Sequence, residues 1–378
     1  DKDSINSIIL KYDICSILKA KISLYLHLQH FIIMKNFLIL AFILTFGPFG
    51  FSQMNMQLLS NLNYQNLHNA QLNDIWGYVD EEGNEYALVG TNKGSSIVDV
   101  TDPQNPVEVF WLPGTENIWR DLVTHGDYAY ISTEATDGIL IIDLSPLPQS
   151  TALPYVYTTG NGPLPVNRAH TIFATDGYCY IFGSNVGNGG VQIWDLQNPM
   201  NPGYVSSFDN WYCHDGFVQN DTMYLGHIYD GFFSIVDVTT KTSPVLLGTK
   251  ETPSLFTHNI WPTPDGKYAF TTDEVTGAFV GAYDISDPTN IKEVDRIQSS
   301  PGKNVVPHNT HFINDFIVTS YYSDGVTIHD VTYPYNIIQV GNYDTYPYQT
   351  TGFDGCWGAY PYLPSGNVLA TDREYGLF

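Results

Sequence analysis

Basic side chains are scarce in this sequence. Its 378 residues contain 15 Lys and Arg against 39 Asp and Glu, a formal net charge of −24 at pH 7. Residues 1–53 hold five of the bases and three of the acids, so residues 54–378 hold ten bases and thirty-six acids. A surface this negative repels nucleic acids and anionic lipids. The composition therefore excludes nucleic-acid binding.

Cysteine and long hydrophobic runs are also in short supply. Only Cys179, Cys213 and Cys356 fall after residue 53, and an odd, low count excludes a disulfide framework. The sequence lacks a Gly-rich phosphate loop, a nucleophile elbow and a basic aromatic stripe. No stretch after residue 53 indicates a transmembrane segment or a convincing helix.

The one concentrated apolar run lies near the start, from Phe37 to Phe46. It follows the basic start Met34-Lys35-Asn36 and leads into the small residues around Gly47. A charged start, a short apolar centre and a small-residue exit are typical of a secretory signal peptide, and the run is too short for a comfortable membrane span. We expect 1–33 to be an upstream translated or disordered segment, 34–53 a signal peptide and 54–378 the folded domain. An N-terminal membrane anchor is the alternative.

One short β-branched phrase that ends in aspartate recurs along the folded part. The aspartates are 44, 52, 42, 47 and 46 residues apart, at Asp99, Asp143, Asp195, Asp237, Asp284 and Asp330. Most phrases lead into a turn such as Asp102-Pro103. We expect each aspartate to accept hydrogen bonds from the backbone of the turn that leaves the strand.

Other strand patterns repeat in step with this phrase and complete a unit of four strands. An amphipathic strand such as residues 106–110 follows it, an apolar strand such as 86–90 precedes it, and a further strand begins the unit. Four strands in about 47 residues are typical of a propeller blade. The sequence therefore predicts an all-β, seven-bladed β-propeller of four-stranded blades. We expect residues 56–64 to close the ring by pairing with the last blade, inside which the chain ends.

The repeated phrases resemble those of LVIVD-repeat propellers. The stretch Gly355-Cys-Trp-Gly-Ala-Tyr-Pro-Tyr to Phe378 is similar to the end of the choice-of-anchor B family, and Asn73-Asp-Ile-Trp-Gly-Tyr-Val-Asp80 is similar to its first blade. The resemblance covers roughly 56–378. It implies a secreted or cell-surface bacterial protein with an anchoring tail after the propeller, a tail that would lie beyond this sequence. The Phe-Ser-Gln end of the signal fits a Bacteroidetes-like origin. The family implies no established reaction.

Four histidines occupy the same position in successive blades: His170, His214, His258 and His308. Asp121 and Asp74 are expected at the equivalent position of the two preceding blades. Equivalent positions meet around the central channel of a propeller, so the repeat would gather the imidazoles at one mouth. Neutral imidazoles with carboxylates suit zinc, copper or iron. The alternative is structural, because a polar residue at this position can hydrogen-bond the backbone of the next blade.

Two of the four arginines after residue 53, Arg120 and Arg168, adjoin this level. With Asp121 they are candidates for holding a cofactor or an anionic ligand.

Two functions remain open at this stage. The first is a secreted or cell-surface binding or scaffold module that recognises a protein or glycan at one mouth. The second is a metal-dependent oxidoreductase or hydrolase that uses the channel histidines.

Overall fold

The structure is a computed structural model, and it describes residues 53–378. The predicted upstream segment and all but the last residue of the predicted signal peptide lie outside the described residues. Within them the one helix is Tyr64–His68. No helix in this part of the chain is long and apolar enough to cross a membrane.

The prediction of a seven-bladed β-propeller is confirmed. Seven antiparallel sheets follow one another along the chain. The strands of each blade lie in sequence order from the inside outward, and the sheet of blade 6 gains one edge strand from the N-terminal segment. Their strands are Leu72–Val79, Glu85–Thr91, Gly94–Asp99 and Val107–Pro113 in blade 1; Leu122–His125, Tyr128–Ile131, Ile139–Asp143 and Tyr155–Thr158 in blade 2; Thr171–Thr175, Tyr178–Phe182, Val191–Asp195 and Gly203–Phe208 in blade 3; Asp215–Gln219, Thr222–His227, Phe232–Asp237 and Val245–Glu251 in blade 4; Thr257–Pro262, Tyr268–Asp273, Val280–Asp284 and Lys292–Ile297 in blade 5; Thr310–Ile313, Phe316–Ser320, Val326–Asp330 and Ile338–Tyr343 in blade 6; and Cys356–Tyr360, Leu369–Asp372 and Gly376–Leu377 in blade 7.

The ring closes because blade 7 packs against blade 1. The first strands of successive blades contact one another around the whole circle, and Cys356–Tyr360 contacts Leu72–Val79. The predicted N-terminal closure is seen at one residue: Leu62 N donates to Leu377 O at 2.8 Å, and Leu377 N donates to Leu62 O at 3.0 Å. The preceding strand, Gln53–Met54, instead pairs with Ile338–Tyr343 as a fifth strand of blade 6.

The repeated aspartates form the turns that the sequence predicts. In each of the six phrases a carboxylate oxygen accepts from the backbone N–H two residues later, at 2.7–3.0 Å. This contact satisfies a backbone donor where the chain leaves the third strand. The same short motif therefore ends the third strand at the same place in blades 1 to 6.

The hydrophobic core lies between blades rather than inside one of them. Tyr86, Leu88 and Ile97 of blade 1, for example, pack in one cluster with Ile131 and Leu140 of blade 2. Burying an aliphatic or aromatic side chain stabilises the fold by about 1.5–3 kcal/mol. This packing fixes each first strand beside the next, and it positions the residues that line the channel.

Candidate metal centre at the channel mouth

The four predicted histidines do meet at the channel mouth. The imidazole centroids of His170 and His214 are 3.9 Å apart, those of His214 and His258 are 4.3 Å apart, and those of His258 and His308 are 4.3 Å apart. Trp357 of blade 7 continues the arc, with its ring centroid 5.0 Å from that of His308. The repeat thus produces a continuous arc of imidazoles across blades 3 to 6.

The predicted alignment of the aspartates was wrong by one residue. Strand pairing shows that Arg120 in blade 2 and Asn73 in blade 1 stand at the histidine level. Asp121 and Asp74 stand one residue further along their strands, at the level of Asp215. Consecutive residues at this end of the first strand are polar, as His214 and Asp215 are, so residue type alone does not fix the alignment; the backbone hydrogen bonds do.

A local irregularity lets consecutive residues both face the channel. In blade 5, Thr257 pairs with Asp273 and Asn259 pairs with Thr272, so His258 has no pairing partner. Blade 7 has the same irregularity, which leaves out Trp357. Bulges re-aim side chains that strict alternation would send to opposite faces. Histidine and aspartate levels can therefore line one cavity.

Backbone contacts orient the imidazoles. His308 Nδ1 lies 2.6 Å from Trp357 O, which makes Nδ1 the donor and leaves Nε2 with its lone pair. The Nδ1 atoms of His214 and His258 are buried and form no well-shaped hydrogen bond, although each lies near the backbone of the next histidine. The structural role considered above, a contact with the next blade, is thus realised fully at His308.

Glu274 is the residue that sequence reasoning missed. Its Oε2 lies 3.7 Å from His258 Nε2, and its Oε1 lies 3.7 Å from His308 Nε2. One ligand atom from each of His214, His258 and Glu274 lies within 4.8 Å of the others. Tyr322 donates its hydroxyl hydrogen to Glu274 Oε1 at 2.5 Å and so holds the carboxylate in place. The compact group of possible ligand atoms thus contains two of the four predicted histidines, His214 and His258, and one carboxylate.

Burial dominates the electrostatics of this cluster. It lowers the pKa of His214 and of His258 well below the usual value, and the neighbouring imidazoles add to the effect. Burial also lowers the pKa of His308 to about 3. These imidazoles are consequently neutral at pH 7, the form that binds metal. Burial raises the pKa of Glu274 to about 7, against the opposing effects of the Tyr322 hydrogen bond and nearby Arg373.

His170 has a different partner. Its Nδ1 lies 2.7 Å from Glu134 Oε1, and this hydrogen bond lowers the pKa of Glu134. His170 therefore remains at the mouth but is engaged by its own carboxylate.

The two predicted arginines differ in their surroundings. Arg120 is buried and its guanidinium donates to the backbone carbonyls of Thr91 and Thr115. Arg168 is exposed and close enough to Glu134 to lower the pKa of that carboxyl. The arginine near Glu274 is instead Arg373, which sequence reasoning did not select.

A shared position could have identified the missed residues. Four of them occupy equivalent positions just after the second strands of blades 2, 5, 6 and 7: Glu134, Glu274, Tyr322 and Arg373. Each follows by four residues the second-strand residue that pairs with Trp261 or with its counterpart in another blade. This position follows the second strand and faces the mouth. The signal was hard to see because the four residue types differ, whereas the histidines match.

A ring of oxygen-bearing side chains lies one level below the histidines. Asp121 Oδ2 accepts from Ile172 N of the next blade at 3.0 Å, and Asn259 and Asn309 donate to Asp215 and Asp74. Burial raises the pKa of Asp74 to about 7 and of Asp215 to about 6, and that of Asp121 rises for the same reason. Asp121 therefore joins blades 2 and 3.

A small cavity of about 20 Å³ is lined by residues of both levels. That volume holds one water molecule or one ion. Further along the first strands, the rings at the position of Trp261 pack together in the channel. The ring centroids of Phe217 and Trp261 are 4.0 Å apart, and those of Trp261 and His311 are 4.5 Å apart. A larger apolar groove of about 290 Å³, beside the N-terminal segment, contains none of the predicted site residues.

Comparisons with known proteins agree with this architecture. The LVIVD repeat family matches residues 82–112 and 119–157. No curated protein matches the chain. Among solved structures, the crystal structure of the Myceliophteria thermophila Cps50 (Swd1) beta-propeller domain is similar at 11% identity, with a TM-score of 0.58 over 86% of this chain and 98% of that domain. At this identity the likeness shows the fold alone. The chain is thus a repeat β-propeller, and parts of its first two blades match the LVIVD repeat.

Proposed function

We propose that this protein is a binding propeller that holds a divalent transition metal ion at its channel mouth, through His214, His258 and Glu274. The observation that carries the proposal is the 3.7 Å separation between Glu274 Oε2 and His258 Nε2. This separation is too long for a hydrogen bond. Two ligands with bonds of about 2.0–2.2 Å to one tetrahedral ion would stand roughly 3.4 Å apart.

The chemistry of the ligand atoms supports the choice of metal. Two neutral imidazoles and a carboxylate are borderline ligands, which suit zinc, copper or iron rather than calcium or magnesium. Tyr322 fixes the carboxylate at 2.5 Å, and such outer partners strengthen metal sites. His308, whose Nε2 is 3.7 Å from Glu274 Oε1, stands beside this three-ligand group.

Elemental mass spectrometry on purified, untagged protein tests the proposal. We expect about one metal ion per chain, and loss of that ion in the double variant His214→Ala/His258→Ala. The matched control is His68→Ala/His125→Ala, which also removes two histidines but away from the mouth and should keep the ion. Glu274→Gln retains the shape but not the charge, and we expect metal affinity to fall at least about 10-fold.

Thermal unfolding gives an independent measurement. Bound metal stabilises the folded state by mass action, by about 2.7 kcal/mol at a hundredfold excess over Kd. EDTA should therefore lower the Tm of wild-type protein and leave that of the double variant unchanged. If the protein carries no metal and neither zinc, copper nor iron raises its Tm, the proposal fails.

The surface around the mouth supports recognition of a protein or glycan there. Tyr229 is 74% exposed, Leu255 57% and Phe353 48%, and all three lie on loops of the mouth side. Large exposed apolar side chains on these loops offer contact area for a protein or glycan. We expect the pair Tyr229→Ser/Leu255→Ser to abolish binding to a protein or glycan array. The pair Val245→Ser/Tyr335→Ser, similarly exposed but away from the mouth, should bind as wild type, and equal loss in both pairs would contradict this role.

The signal-like pattern of residues 34–53 supports a secreted or cell-surface location. Expression of the full sequence in a Gram-negative host tests it, because N-terminal sequencing of exported protein should find a new N-terminus near residue 53. Uncleaved protein retained in the membrane would support the alternative of an N-terminal anchor.

An enzymatic role is the second candidate. Three protein ligands leave a coordination position for water or substrate, as catalytic rather than structural sites do. Oxygen consumption and ester hydrolysis by metal-loaded and metal-free protein distinguish the classes. Turnover that depends on the metal and is lost in Glu274→Gln would favour the enzyme.

A further inference from the structure

Arg373 differs from the other basic residues in its position at the mouth. It occupies the same repeat position as Glu274 and Tyr322, at the end of the second strand of blade 7. Its guanidinium carbon lies 5.3 Å from the centroid of the Trp357 ring, which packs against His308. Stacking on an aromatic face is a contact that favours arginine over lysine.

Arg373 has no carboxylate partner within ion-pair distance among residues 53–378. Its Nη1 donates to the carbonyl of Phe353. The side chain is half-buried. The Trp357 ring on which it stacks lies 6.2 Å, centroid to centroid, from the ring of Tyr322, whose hydroxyl donates to Glu274. In so acidic a protein, a mouth-facing arginine that is stacked and held by a backbone carbonyl retains donors for another anion.

We infer that Arg373 binds a small carboxylate ligand that also coordinates the metal ion. The inference rests on the proposed metal site and deepens it by naming the ligand class. A carboxylate offers two oxygens: one can take the coordination position that three protein ligands leave open, and the other can accept from the guanidinium. The planar guanidinium matches a carboxylate better than a lysine ammonium does.

The repeat explains why the anion would bind on this side of the mouth. On the opposite side, Arg120 is committed to two backbone carbonyls. Arg168 is exposed and has Glu134 nearby, with His170 between it and the metal ligands. Arg373 stacks on Trp357, whose ring packs against those of both His308 and Tyr322.

Cobalt-loaded protein provides the test, because the visible absorption of Co²⁺ reports its ligands. Sodium acetate is titrated at constant ionic strength, with perchlorate as the balancing salt. We expect a saturable spectral change in wild-type protein. In Arg373→Ala, half-saturation should need at least about 10-fold more acetate, since a charge-assisted hydrogen bond to the carboxylate is lost. Arg373→Lys should fall between, and Arg296→Ala, on the outer strand of blade 5, should match wild type.

The outcomes separate the two proposals. If Co²⁺ produces no bound spectrum in wild-type protein, the metal site fails and this inference fails with it. If Co²⁺ binds but acetate leaves its spectrum unchanged, or Arg373→Ala titrates like wild type, only the inference about Arg373 is overturned. Should Arg373→Ala disturb the Phe353 loop, seen as a lowered Tm, Arg373→Lys decides: equal acetate affinity in Lys and wild-type protein contradicts a guanidinium contact.

Discussion

At the scale of single residues, chemistry at the mouth depends on which side chains lack a partner. His227 shows the contrast: its Nδ1 contacts Tyr212 O and its Nε2 contacts Ser234 Oγ, both at 2.8 Å. Such a histidine has no lone pair free for a ligand. His258 keeps an imidazole nitrogen 3.7 Å from a carboxylate, with no hydrogen bond between them. The sequence alone does not distinguish these two histidines.

His329 carries a prediction of its own. It is fully buried, and neither ring nitrogen has a hydrogen-bond partner; burial lowers its pKa to about 4. Above pH 6.5 the imidazole is neutral in both states. Below that pH the unfolded chain takes up a proton that the folded protein excludes, so stability falls as the pH drops from about 6.5 towards 4.

We therefore expect His329→Leu to weaken the pH dependence of stability. Between pH 7.5 and pH 5, the variant should lose about 2 kcal/mol less than wild type in its free energy of unfolding. Urea unfolding at the two pH values measures this difference. An unchanged pH dependence in the variant would show that the folded protein protonates His329 without penalty.

At the scale of elements, the first strands do more than carry ligands. Asp121 Oδ2 accepts from Ile172 N in the neighbouring blade, and Oδ1 accepts from Leu122 N at 2.7 Å. The side chain that the sequence suggested as a cofactor contact thus joins two blades. A structural role of Asp121 predicts that its removal lowers stability, whereas a ligand-binding role predicts that its removal weakens metal binding.

If Asp121 joins blades 2 and 3, Asp121→Ala should destabilise the protein by about 1–3 kcal/mol, because Ile172 N–H is left buried without an acceptor. Asp121→Asn should cost less, since its amide oxygen still accepts and the repulsion from Asp74 and Asp215 disappears. Chemical denaturation measures both variants. Wild-type stability of Asp121→Ala together with weakened metal binding would favour the ligand role instead.

At the scale of the whole molecule, stability depends on closing the ring. Each blade packs on two neighbours, and the first and last blades meet only because the chain ends come together. The two hydrogen bonds between Leu62 and Leu377 fasten the N-terminal segment to blade 7. Repeat arrays without such closure expose the edges and faces of their terminal units.

Leu62→Pro tests the closure, since proline has no N–H to donate to Leu377 O. We expect a loss of about 1–3 kcal/mol, seen as a Tm several degrees lower. Leu59→Pro is the matched control, because Leu59 belongs to the same segment and is 42% exposed. Equal effects of the two prolines would mean that the Leu62 contact does not hold the ring closed.

The amino-acid sequence by itself determined the blades. The strands and the Asx turns are local features that recur every 42–52 residues, so the sequence pattern predicts them and the number of blades. The same repetition places the four histidines at one level. The tertiary structure alone decided the register between blades and the side chains that meet across the channel. Glu274 and Arg373 join the site because ring closure brings blades 4 to 7 together, and bulges override the alternation that a sequence pattern assumes. Distances between side chains on different blades depend on this closure, and no local pattern encodes them.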